Sequence, residues 1–157
     1  MRRFILSVLG VVLVSGLSVQ AGELGIEATV GQKSLGVFLY EETYGGGIWA
    51  GKEMNDAAAK TDTTSVGAWA ELRNKIDTQL YFAYGLTGWF TSGIITGATI
   101  TSSYTLAPFV SFEYYLTPHF SLNHWTNLIQ YSSTKLAGVA VNTTSFMATN
   151  LGISYIF

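Results

Sequence analysis

The chain has 157 residues, enough for one domain, and is 48% hydrophobic and 14% aromatic but only 11% charged, against roughly 25% charged in an ordinary soluble domain. A water-facing exterior is hard to build from so few charges. The formal net charge of −2 gives no support for nucleic-acid binding, and the absence of cysteine excludes disulfides and thiolate metal sites.

The first 21 residues read as an export signal. Met1-Arg2-Arg3 is a short basic segment, Phe4 to Leu17 is an apolar run, and Val19-Gln20-Ala21 places a small residue at the cleavage position, which predicts a mature domain over 22–157. The apolar run is shorter than the roughly 18 to 20 residues a spanning helix needs, and no later segment reaches that length. Removing Arg2 and Arg3 leaves six Lys/Arg against ten Asp/Glu.

The remaining sequence alternates with a period of two, which predicts strands. Strand one, 23–31, sets Leu24, Ile26, Ala28 and Val30 against Gly25, Glu27, Thr29 and Gly31. Strand two lies near 35–43, and strand three, around 47–53, follows a Gly45-Gly46-Gly47 turn. Strand four, 64–73, alternates Val66, Ala68, Ala70 and Leu72 with Gly67, Trp69, Glu71 and Arg73. Strand five, 78–90, and strand six, 103–116, sit in or next to the charge-free stretch Thr78 to Phe112. Strand seven covers 119–132 and strand eight 144–157. Pro108 cannot donate to a ladder, which predicts a bulge beside it. Strand seven has no single apolar parity: Phe120 and Leu122 point one way, Ile129 and Tyr131 the other. A bulge near Asn123-His124 would switch its face.

The closing stretch Asn150-Leu151-Gly152-Ile153-Ser154-Tyr155-Ile156-Phe157 resembles the last strand and assembly signal of bacterial outer-membrane β-barrels. Over the whole mature chain the sequence is similar to the small eight-stranded surface barrels of the outer-membrane protein X and outer-membrane protein A type. The resemblance implies an all-β, eight-stranded antiparallel up-and-down transmembrane barrel in the bacterial outer membrane. It also implies an assembly signal at Asn150, Gly152, Tyr155 and Phe157 that the barrel-assembly machinery reads, with periplasmic chaperones in transit. The surroundings would be outer-membrane lipids and lipopolysaccharide, with no nucleic-acid partner, no cofactor and a monomeric state. Turns at 44–47, 74–77 and 116–119 would then be periplasmic, and connections near 32–34, 54–63, 91–102 and 133–143 would face outside. The last two are rich in β-branched residues, which favours hairpins reaching beyond the membrane.

Alternation alone does not say which face looks outward, since a soluble lipocalin-type barrel also has eight alternating strands around an apolar ligand cavity. Non-apolar faces of Gly, Ser, Thr, Ala and Asn, aromatics near strand ends and the terminal Phe157 favour lipid outside. Phe90 and Tyr104 are expected in an upper aromatic girdle, and Tyr114, Phe120, Tyr155 and Phe157 in a lower one. Inside, Glu27, Glu71, Arg73, Gln79, Glu113 and Asn150 are expected to form a packed polar network, with Arg73 near enough to the periplasmic end to serve the rim instead. A narrow pore is the alternative use of such an interior.

His124-Trp125-Thr126-Asn127 is similar to the His-x-Ser-Asn stretch of outer-membrane lipid A deacylases, which would make His124 the base and Thr126 the nucleophile. Thr replaces Ser, and no Glu or Asp follows Glu113 to orient the His. His124 would also lie about 15 Å above the periplasmic turn, in mid-membrane. No metal-ligand spacing or phosphate loop is present. The expected function is a non-enzymatic structural or surface-interaction barrel.

Overall fold

The computed structural model describes residues 22–29, 33–55, 61–95, 98–136 and 139–157. The expected signal segment 1–21 lies outside them, as do Val30, Gly31, Asp56 and Lys60. Eight strands follow one another in chain order: β1 (Glu23–Thr29), β2 (Ser34–Tyr40), β3 (Tyr44–Asn55), β4 (Thr61–Lys75), β5 (Leu80–Ile95), β6 (Ala98–Thr117), β7 (Phe120–Leu136) and β8 (Val139–Ile156). Each pairs antiparallel with its sequence neighbours, and β8 returns to β1, so the sheet closes into an up-and-down barrel. Closure removes the free edges that an eight-stranded sheet would otherwise carry.

Several boundaries differ from the sequence expectation. The first tight turn is 41–43, closed by the Glu41 amide donating to the Tyr44 carbonyl at 2.8 Å. Gly45-Gly46-Gly47 is therefore not a turn. It lies within β3, paired on both sides. These glycines serve packing: a Cβ on Gly45 would collide with the Tyr40 ring, and one on Gly47 would press on Phe38 and Trp69. The turn between β4 and β5 occupies 76–79, and 91–102 and 133–143 are mostly strand.

The bulge in β7 is also displaced. The β6–β7 register runs Phe109 opposite Asn127 and then Leu106 opposite Tyr131, so β7 carries one extra residue beside Pro108. Phe120, Leu122 and His124 are outward, Ser121, Asn123 and Asn127 inward, and Leu128, Ile129 and Tyr131 outward beyond the bulge. The face switch thus comes four residues after Asn123-His124, at the proline that removes a donor from the ladder. A second register shift, in β6 around residues 101–102, sits opposite Gly93, whose φ of 142° favours glycine.

The wall is uneven in height. β1 and β2 have 7 residues each, whereas β6 has 20 and β8 has 18. Among the described residues Gly152–Ile156 of β8 face β1, and β4 to β8 rise as a tall sheet on one side. Residues 139–147 of β8 are exposed on both faces.

Close approach inside the narrow barrel is most restrictive at Gly85, where an added Cβ would meet the Ala70 carbonyl oxygen, the Phe109 ring and the Glu71 Cα. Gly85→Ala is expected to lower unfolding stability by about 1–3 kcal/mol, the usual cost of overpacking. Urea titration of the refolded chain, followed by the compact band in unheated gels, measures it.

Candidate functional site in the barrel interior

Period-two alternation sends one residue in two into the lumen, and in this chain those residues are polar. Among the described residues, fifteen polar or charged side chains are buried against six hydrophobic ones, while thirty large hydrophobic residues are exposed. The barrel is inverted relative to a water-soluble one.

At the centre is Arg73. Its Nη2 bonds Glu113 Oε2 and donates to the Tyr115 hydroxyl at 3.2 Å. Its Nε lies 3.5 Å from Glu71 Oε1 without forming a hydrogen bond, so that contact is coulombic. The guanidinium stacks 3.6 Å over the Tyr40 ring and 4.6 Å from the centre of Tyr81. Nη1 reaches the Glu41 carbonyl at 3.5 Å.

Three lumenal carboxylates share this one guanidinium, and neutral donors hold what it does not. Ser121 Oγ donates to Glu113 Oε1 and Ser111 Oγ to Glu71 Oε2 at 3.4 Å. Asn123 Nδ2 donates to Glu27 Oε2 at 2.6 Å and to Ser154 Oγ at 2.9 Å, and Thr29 Oγ1 donates to Glu27 Oε1 at 3.4 Å. At the lower rim the Tyr115 hydroxyl donates to Glu23 Oε2 at 3.1 Å. Beside the ions, Phe38, Tyr40 and Ile156 pack with Trp69 and Tyr115 into an apolar plug.

The expected network is thus partly regrouped. Glu71, Arg73 and Glu113 meet directly, Glu27 is held apart from them by Asn123, Ser154 and Thr29, and Arg73 neutralises Glu113 and Glu71 while also touching the rim at Glu41. Asn150 is inward and buried, opposite Trp125, but stands apart from the ion cluster. Gln79 is not interior: β5 begins at Leu80, which leaves Gln79 in the exposed turn, where its Oε1 accepts from the Tyr114 hydroxyl at 3.0 Å. Tyr40, Ser121, Asn123 and Ser154 were missed. Parity along strand two would have found Tyr40, and carrying the Phe120–Leu122 parity forward would have found Ser121 and Asn123.

The closing strand places Tyr155 and Phe157 outward and Asn150 and Gly152 inward. Phe157 N donates to the Leu24 carbonyl at 3.0 Å, and Ile156 N to the His119 carbonyl at 2.9 Å. His119 Nδ1 lies 3.0 Å from the Ile156 oxygen. Phe90 and Tyr104 are cross-strand partners on the outer surface, and Tyr114 and Phe120 are outward near the other end. His124 is outward between Phe112 and Leu151, with Thr126 on the same surface, whereas Glu113 points inward to Arg73. The arrangement does not bring a carboxylate to His124.

These features define a closed eight-stranded up-and-down β-barrel with a polar interior and an apolar exterior. No family model matches the chain, and no curated protein matches it. Among solved structures the chain is similar to the outer membrane protein Ail of Yersinia pestis, determined in a phospholipid bilayer nanodisc. The identity is 16%, the match covers 87% of this chain and 99% of that one, and the TM-score is 0.48.

Arg73→Ala leaves buried Glu113 and Glu71 without their counter-ion and is expected to cost about 3–5 kcal/mol in unfolding free energy. Arg73→Lys, which keeps the charge but loses the planar fork, is expected to recover part of it. Equilibrium urea unfolding monitored by intrinsic fluorescence separates the two.

Proposed function

We propose that the chain is an integral outer-membrane β-barrel of structural and surface-interaction type, without catalytic activity. The observation that carries this reading is the inversion of polarity. Leu24, Ile26, Val66, Leu86, Leu106, Leu122 and Ile153 cover the outside, and Glu71, Arg73 and Glu113 are buried inside. In water this exposes a continuous apolar belt far larger than a monomer tolerates. In a bilayer the belt is solvated and every backbone group is satisfied by the closed ladder. A lipocalin-type barrel requires the opposite arrangement.

Phe90 with Tyr104 above, and Tyr114, Phe120, Tyr155 and Phe157 below, supply interfacial aromatics at both ends of the belt. Lipids and lipopolysaccharide are the partners such a belt fits. The barrel-assembly machinery and periplasmic chaperones are those the proposed location requires. The tall β4–β8 wall offers the surface for contacts outside the membrane. A deacylase role is disfavoured because His124 and Thr126 lie on the opposite face of the sheet from Glu113. A pore is disfavoured because Arg73, Tyr40, Trp69 and the Trp49–Trp89 pair fill the lumen.

Expression of the full chain should yield a membrane-extracted species whose gel mobility shifts on heating; recovery as a water-soluble monomer without detergent would overturn the proposal. Leu86→Arg, at an outward position between the Leu80–Tyr114 and Phe90–Tyr104 pairs, is expected to cost about 2–4 kcal/mol in lipid vesicles, whereas a water-exposed site would tolerate it. In planar bilayers the folded chain is expected to give no discrete conductance steps.

A further inference from the structure

The interior holds a second cavity that the ion cluster does not use. Trp49 of β3, Gly67 of β4 and Trp89 of β5 form one cross-strand row facing the lumen. Gly67 has no Cβ to hold the indoles off: a Cβ there would lie 2.5 Å from Trp49 Cε2. The two indoles therefore meet above it, with ring centres 6.0 Å apart and planes at 52°. They partition the lumen. Beneath them is a cavity of about 50 Å³ beside Arg73 and its carboxylates. Above them, at the end away from the turns 41–43, 76–79 and 118–119, is a vestibule of about 210 Å³ lined by Trp49, Trp89, Glu53, Lys33, Thr63 and Ser65.

The chemistry of that lining is selective. The floor is a pair of half-buried indoles whose planes meet at 52°, an angled apolar surface with polar groups standing around it. Glu53 continues the inward row Trp49, Gly51, Glu53 and supplies an acceptor; Lys33 supplies a donor. The Thr63 and Ser65 hydroxyls both donate and accept. Lys52 also borders the vestibule, but its ammonium pairs with Asp62 at 3.3 Å. Among the described residues one carboxylate and one ammonium are left, so this lining carries no net charge to favour an anion or a cation. An organic cation also rests on a single indole face, but here Lys33 offsets the carboxylate of Glu53 that would hold it.

We infer that the vestibule above Trp49 and Trp89 binds a single pyranose ring of a neutral saccharide. The ring's C–H face rests on the indoles, and its hydroxyls bond Glu53, Lys33 and the Thr63 and Ser65 side chains. Apolar faces edged by groups that both donate and accept are what a pyranose presents, and the cavity is smaller than the roughly 300–1,000 Å³ of sites for larger ligands.

The test uses the full chain refolded in a zwitterionic detergent that carries no sugar, since glycoside detergents would compete. Methyl pyranosides and tetramethylammonium are offered in turn, and saturation transfer from protein to ligand protons is read by NMR. Transfer is expected to the ring C–H protons of at least one methyl pyranoside and not to tetramethylammonium. Glu53→Gln, on the rim where folding does not depend on it, should weaken binding about tenfold, the loss of one hydrogen bond to a charged group. Trp89→Leu should abolish it, and Trp125→Phe, below the vestibule, should leave it unchanged. No transfer from any pyranoside to the folded protein, transfer unaltered by Glu53→Gln and Trp89→Leu, or transfer to tetramethylammonium alone would overturn the inference. None of these outcomes depends on where the barrel resides.

Discussion

Five residue pairs, from Gly25 opposite Ile156 to Thr29 opposite Gly152, join β1 to β8, and the rest of the structure depends on that seam. Seven of the eight strand contacts join sequence neighbours and form as hairpins or short connections. This one joins the two ends of the domain. Without it β1 and β8 are edges, each presenting a row of unpaired backbone groups. The seam is short, and its reinforcement comes from outside the ladder. The Phe157 amide bonds the Leu24 carbonyl, and the Ile156 amide bonds the His119 carbonyl, so the last two residues are held by β1 on one side and by the β6–β7 turn on the other. Ile156 then adds its side chain to the plug formed with Phe38 and Tyr40.

The polar interior reinforces the same closure. Glu27 of β1 is held by Asn123 of β7 and Ser154 of β8, which ties three consecutive strands across the seam. Glu71 and Arg73 of β4 reach Ser111 and Glu113 of β6, and Glu113 returns to β7 through Ser121. Two sets of bonds therefore line the lumen, one centred on Glu27 at the seam and one on Arg73 across β4, β6 and β7. Partial removal is expected to be worse than none having been built, because each buried charge left without partners is costly. The lumen accommodates this set and the large aromatics together because glycines make room for them, at Gly25 beneath Phe38, Gly45 beneath Tyr40 and Gly67 beneath Trp49.

Fold class, strand number and most inward and outward faces were legible in the sequence because a closed sheet with a polar inner and an apolar outer face imposes a strict period of two. Leu24 to Ala28, Val66 to Leu72 and Tyr104 to Leu116 show it directly. Legibility failed where a local rule had two readings. Gly45-Gly46-Gly47 has turn composition, yet the glycines are space for Tyr40, Phe38 and Trp69, a requirement set by other strands. The β7 bulge is dictated by Pro108 on the neighbouring strand, so no reading of β7 by itself could place it at 127–131. Arg73 was placed in the interior network with the rim as its alternative; its length lets it serve both the rim carbonyl of Glu41 and the buried carboxylates. Gln79 failed by a boundary of two residues, which is enough to move a side chain from lumen to turn.

The division of the lumen bears on where any specificity can reside. Below the Trp49–Trp89 pair, the polar atoms are largely matched to one another and the free space is about the size of one or two waters. Above it the strands differ in height, the indoles are half-buried, and the side chains of Glu53 and Lys33 frame an opening. A buried network in which all but a few polar atoms, among them Arg73 Nε and Asn123 Oδ1, are already bonded offers a ligand little, since most new bonds would replace existing ones. An open vestibule with an apolar floor and unequal walls offers both surface to cover and polar groups to engage. Stability and recognition thus occupy different levels of one barrel, separated by two indoles and the glycine that lets them meet.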